Sequence, residues 1–154
     1  MGKKRKQNTP DISTFKPGSF VTKTPDETRN LGRRFAKVLK GGDIVFLKGG
    51  LGSGKTTFTQ GIVKSFGNKG FARSSSFILV NEYNAGNCKL FHLDLYRLNP
   101  AAVWDLGLEE YLFSGNIAVI EWADRLAGSQ GDNTWKVGIE ANGDIRKIKI
   151  EKIK

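Results

Sequence analysis

A lysine and a threonine closing a glycine-rich run can hold a polyphosphate. The run is Gly49-Gly50-Leu51-Gly52-Ser53-Gly54-Lys55-Thr56, with the pattern G-x-x-x-x-G-K-T. Glycines at 49, 50, 52 and 54 let the backbone take positive φ angles and approach a ligand closely, so that successive N–H groups converge on phosphate oxygens. Lys55 can then reach the β- and γ-phosphates as a compact charge. The Thr56 hydroxyl is placed to ligate a magnesium ion bridging the same two groups. A glycine-rich turn with a solvated lysine is the ordinary alternative.

Two acids stand in apolar company. Asp94 lies within Leu90-Phe91-His92-Leu93-Asp94-Leu95-Tyr96, where a buried carboxylate is costly unless it is paired or ligates something. Glu121 closes the run Ile117-Ala118-Val119-Ile120, the position from which an acid in a nucleoside-triphosphate site reaches magnesium or orients the attacking water. An ordinary strand-end glutamate would have the same spacing. His92 reads as packing or hydrogen-bonding within a strand, and Cys88 as a small buried or edge residue.

The elements that must position these groups are legible around them. Asp43-Ile44-Val45-Phe46-Leu47-Lys48 has the β-branched and aromatic content of a buried strand, and residues 57–66, before Gly67, have helix length. Strand, loop and helix are the setting that the phosphate-binding motif requires. Upstream, Thr24-Pro25-Asp26-Glu27 predicts a helix start, with Thr24 as N-cap, Pro25 in the first turn and Glu27 completing a capping box. Leu31, Phe35, Val38 and Leu39 then share one face, Arg29, Arg33, Lys37 and Lys40 largely the other, and Gly41-Gly42 ends the helix. Strands at 78–83 and 89–96 flank a hairpin signal, Asn84-Ala85-Gly86-Asn87. Short helices are expected at 100–106 and 108–112. Residues 135–140 and 145–151 alternate around Asn142-Gly143, which favours a tight hairpin. There Ile145, Lys147 and Lys149 fall on one face and Arg146, Ile148 and Ile150 on the other, as in a mixed edge kept soluble by charge.

Composition bounds the rest. A chain of 154 residues suits one domain with a proper core. Apolar runs of about six residues at most are far short of a membrane span. No apolar stretch follows the charged residues 1–6, so no secretory signal is expected. One cysteine and one histidine exclude an internal disulfide and make a Cys/His metal cluster implausible, and the expected location is the cytoplasm. The net charge of +10 is uneven: residues 1–40 hold eleven Lys and Arg against three Asp and Glu. Residues 1–20 are therefore read as a flexible basic arm, and 21–154 as the single domain. Such an arm can lie on RNA or an acidic partner, and it reads equally as a solvated tail.

Together these blocks resemble the TsaE (YjeE) family. The likeness rests on Gly49 through Thr57, Phe77-Ile78-Leu79-Val80 with Tyr83, His92-Leu93-Asp94-Leu95-Tyr96-Arg97-Leu98, Leu106-Gly107-Leu108-Glu109-Glu110-Tyr111-Leu112 and Ile120-Glu121-Trp122, in order and spacing over residues 24–150. The H-L-D-L-Y-R-L and I-E-W blocks make it specific. The resemblance implies an α/β fold of P-loop NTPase type, with a mainly parallel central sheet, antiparallel hairpin additions and flanking helices. It also implies an ATPase that assists synthesis of N6-threonylcarbamoyladenosine at position 37 of tRNA. Such a protein acts with the TsaD–TsaB pair, meets tRNA only indirectly or weakly through that complex, and takes ATP and magnesium as cofactors.

Carried over by position, Gly50, Leu51, Gly52, Ser53, Gly54, Lys55, Thr56 and Thr57 bind the phosphates, with Lys55 neutralising them. Thr56 and Glu121 belong to the magnesium site, and Asp94 is the catalytic or water-organising acid. Ser76 takes the place of a threonine near the γ-phosphate, Trp122 lies beside the site, and the region of Pro25 to Glu27 lies near the adenine. Two departures are evident: Ser75 and Ala123 stand where prolines are usual.

Two rival functions use the same loop. A small-molecule kinase would want a lid carrying several arginines, whereas Arg73, Arg97 and Arg125 are scattered singly. An RNA-binding module with nucleotide as a structural ligand would suit the basic arm, but neither an RNA-recognition motif nor aromatics interleaved with the basic run are present. No N-K-x-D run reads guanine, which disfavours a GTPase.

Overall fold

Valine, isoleucine and phenylalanine favour extended backbone where they pack on a pleated surface, and threonine with acids three residues on favours a helix start. The computed structural model describes residues 15–67, 80–95, 115–121 and 133–153. Among these the chain forms β1 (Gly18–Thr22), α1 (Pro25–Ala36), β2 (Ile44–Lys48), α2 (Lys55–Ser65), β3 (Val80–Ala85), β4 (Cys88–Asp94), β5 (Ile117–Glu121), β6 (Thr134–Asn142) and β7 (Ile145–Ile153). The short helices expected at 100–112, Ser75 and Ser76, and most of the basic arm lie outside the described residues. No described helix is long and apolar enough to cross a membrane.

All seven described strands join one sheet in the order β1-β7-β6-β2-β5-β4-β3. The middle four, β6, β2, β5 and β4, run parallel, while β7 and β1 on one side and β3 on the other are antiparallel additions. This is the sheet expected from the sequence. Val45, Leu47, Val119 and Val137 belong to the core shared with the helices; Ile44, Phe46, Ala118, Ile120 and Leu93, which alternate with them, are buried as well. Parallel strands need that continuous apolar character because both faces are covered.

Helix α1 starts as its sequence dictates. Thr24 Oγ1 accepts from the Glu27 N–H at 3.1 Å, and Glu27 Oε2 accepts from the N–H groups of Thr24 and Lys23. The helix is shorter than expected, ending at Ala36, because the next N–H groups close tighter turns onto Arg34, Phe35 and Ala36. Asp43, fully buried, then ties off the turn by accepting from the Lys40 N–H while its own N–H donates to the Lys40 carbonyl. Phe35 packs edge-on to Trp135 and against Phe58 of α2, with ring centroids 5.2 and 5.8 Å away. The helices cross with their backbones touching: a methyl group on Gly32 would run into the Phe58 carbonyl, and one on Gly61 into that of Arg29.

Two further expectations change. Gly18–Phe20, read with the flexible arm, instead form the first part of β1, held by its pairing with β7 (Phe20 beside Ile148, Thr22 beside Arg146). The C-terminal hairpin is in consequence not a sheet edge. Its Asn142–Ile145 turn is the tight one expected, with Gly143 at φ +62°, and Ile148 and Ile150 belong to the core.

Candidate phosphate-binding site

Row by row, the sheet delivers the polar groups to one end. Val137, Leu47, Glu121 and Asp94 stand in register across β6, β2, β5 and β4, at the carboxyl ends of the parallel strands. Ligands of open α/β sheets bind at that end. One residue further along β2 the chain leaves Lys48 and enters the glycine loop. Gly54, with φ +111°, turns the loop into α2, a conformation costly for any residue with a Cβ. No side chain caps α2 and its first turn holds no acid, so the positive end of the helix faces the loop's hollow unneutralised.

A cleft of about 420 Å³ lies over that hollow. Its floor is Gly50 to Thr57, and every loop residue expected to bind phosphate borders it. Lys55 is only 7% exposed, and its Nζ donates to the Gly49 carbonyl at 2.6 Å, so the ammonium is folded back over the loop. Glu121 borders the cleft as well. Its carboxyl group is 2% exposed, and Oε1 has no hydrogen-bond partner. A buried carboxylate is costly unless it is hydrogen-bonded, paired or reached by a cation. Asp94, half-buried, is Glu121's neighbour in register. Lys23, Thr24 and Pro25, just before and at the start of α1, border the side of the cleft. The Glu27 carboxylate beneath them is occupied by the capping box. Ser76 and Trp122 lie outside the described residues.

One residue of the site was not foreseen. Arg146, at the start of β7, lies against the loop: its Nη2 is 3.5 Å from the Gly52 carbonyl, and its Nη1 donates to the Gly143 carbonyl at 2.6 Å. The guanidinium thereby adds a fork of donors to the cleft, beside Asp144. The alternation of β7 put Arg146 on the face of Ile148 and Ile150, but only the pairing of β7 between β6 and β1 carries that face to a loop far away in sequence.

A glycine loop between a central parallel strand and an uncapped helix, with acids on adjacent strand ends, defines an α/β protein of P-loop NTPase type. The crystal structure of YdiB from Bacillus subtilis is similar, with a TM-score of 0.73 and 31% identity over 90% of this chain and 87% of that one. The family model "Threonylcarbamoyl adenosine biosynthesis protein TsaE" matches residues 22–148, and the chain belongs to that family. The tRNA threonylcarbamoyladenosine biosynthesis protein TsaE of Bacillus subtilis is 35% identical over 123 residues, 80% of this chain and 77% of its own length. That of Haemophilus influenzae is 34% identical over 140 residues, covering 86% and 89%. That of Rickettsia bellii is 42% identical over 106 residues, covering 68% and 73%.

Proposed function

We propose that the chain plays its part in tRNA threonylcarbamoyladenosine biosynthesis as a magnesium-dependent ATPase that works with the TsaD–TsaB pair in the cytoplasm and meets tRNA only through that complex. The observation that carries this reading is the juxtaposition of Lys55, folded over an uncapped helix start, with the buried Glu121 of the neighbouring strand, which borders the same cleft.

The chemistry follows from where charge sits. Loop N–H groups and the start of α2 hold the β- and γ-phosphates, and Lys55 exchanges the Gly49 carbonyl for phosphate oxygens. Among the described residues no group of three or more His, Cys, Asp or Glu could hold a metal alone. Magnesium takes few protein ligands and completes its sphere with phosphate and water. Thr56 and Glu121 would hold it, and when bound it would neutralise charge on the β- and γ-phosphates. Asp94, beside Glu121, orders the attacking water, while Lys55 offsets charge that grows as the bond to the γ-phosphate breaks. Arg146 reinforces the phosphate end from across the loop, and the region around Pro25 is left for the nucleoside.

The test is ATP binding and turnover by the purified chain with two variants. Lys55→Ala is expected to lower ATP affinity by about 100-fold while leaving adenosine binding unchanged, because only phosphate contacts are lost. Asp94→Ala is expected to keep ATP affinity within about threefold and slow hydrolysis by about 100-fold or more. Full turnover in Asp94→Ala would remove that residue from the mechanism, and full affinity in Lys55→Ala would remove the loop.

A further inference from the structure

His92 is a buried polar group that the ATPase reading leaves unused. Its side chain is 1% exposed, and neither ring nitrogen has a hydrogen-bond partner. Nε2 stands 3.6 Å from Oε1 of Glu121, the oxygen that is itself buried and unpartnered. The sheet brings them together. His92 is in register with Val119, two residues before Glu121 on the adjacent parallel strand, so both side chains leave the same face. Around them that face is apolar, with Val45 and Leu47 next in register on β2.

Buried polar side chains are nearly always bonded, so two that face each other with no other partner call for an account. A separation of 3.6 Å is slightly too long for a hydrogen bond and too short for a water molecule between them. A small rotation of either side chain joins them. A purely packing histidine would not need a carboxylate opposite, and an apolar side chain would fill the space without the cost of two desolvated groups.

We propose that His92 is the positioning residue for Glu121: its Nε2–H donates to Oε1 and so aims the remainder of the carboxyl group, which borders the cleft, at the magnesium site. The proposal rests on the assignment of Glu121 to that site. It gives His92 the Nε2–H tautomer and makes the inner oxygen of Glu121 the anchored one. Residues that orient a metal ligand in this way set metal affinity without touching the metal.

The test is the magnesium dependence of ADP binding in the wild-type chain, His92→Leu and His92→Gln. Leucine fills the buried space without a donor, and glutamine restores an N–H near the position of Nε2. Affinity without magnesium is expected to stay within about twofold throughout; the half-saturating magnesium concentration should rise about tenfold in His92→Leu and return to within about threefold of wild type in His92→Gln. An unchanged magnesium requirement in His92→Leu would overturn the positioning role and leave the nucleotide site standing. A wild-type chain whose ADP affinity ignores magnesium would overturn the site assignment and the proposal with it. His92 is the chain's one histidine, so its imidazole nitrogen NMR signals are unambiguous. The Nε2–H tautomer is expected, with a proton signal that shifts in Glu121→Gln; a spectrum indifferent to that change would also overturn the proposal.

Discussion

Lys55 and Arg146 approach the same loop by different routes, and their chemistry differs accordingly. Lys55 comes from the loop itself and is held by the Gly49 carbonyl, so its position follows from the local motif. Arg146 comes from the far end of the chain and bonds the carbonyls of its own hairpin, with Gly52 just within reach. A guanidinium so placed offers two parallel donors to a phosphate, which an ammonium does not. Arg146→Ala is therefore expected to weaken ATP binding about tenfold, with Arg146→Lys recovering only part of the loss. Calorimetric titration with ATP and with adenosine checks this. An equal loss for both ligands would place Arg146 away from the phosphates.

Among the elements, α1 and α2 fix the loop's end of the site because α2 begins at Lys55 and α1 packs along it. Their crossing depends on Gly32 and Gly61, where each backbone touches the other helix. Gly61→Ala is expected to destabilise the fold by about 3 kcal/mol, despite alanine's better helix propensity, because the added methyl would meet the Arg29 backbone. Urea unfolding measures it, and a stabilised variant would mean that the helices can part without cost. Local chemistry of this kind divides what the sequence revealed from what it hid. The capping box at Thr24 and Glu27 and the strand, loop and helix around Lys55 involve residues within a few positions of one another, and each was legible. The reason for Gly61, by contrast, lies on α1, beyond any local pattern. Strand β1 was missed since Gly18–Thr22 holds only two apolar residues, Phe20 and Val21, and is defined by its pairing with β7. The meeting of Glu121 with His92 is likewise a product of pairing between strands that the chain visits at different times.

At the scale of the molecule, the fold gathers Lys55, Arg146, Glu121 and Asp94 at one end of the sheet from four separate stretches of chain. Family membership places the chain in threonylcarbamoyladenosine biosynthesis. On the proposed reading the cleft contributes by spending a nucleotide, since the groups around it suit phosphate rather than a modified base. Eight of the ten excess positive charges lie in residues 1–40, while the cleft draws its residues mainly from later in the chain. On the proposed reading, nucleotide chemistry and any attraction to an acidic partner are thus carried by largely different parts of the chain. The most direct measurement is ATP hydrolysis by the purified chain, alone and with the TsaD–TsaB pair, using Lys55→Ala as control. Slow turnover by the chain alone, changed by the pair and lost in Lys55→Ala, is the expected result. A folded chain that binds nucleotide yet hydrolyses none under either condition would contradict the ATPase reading.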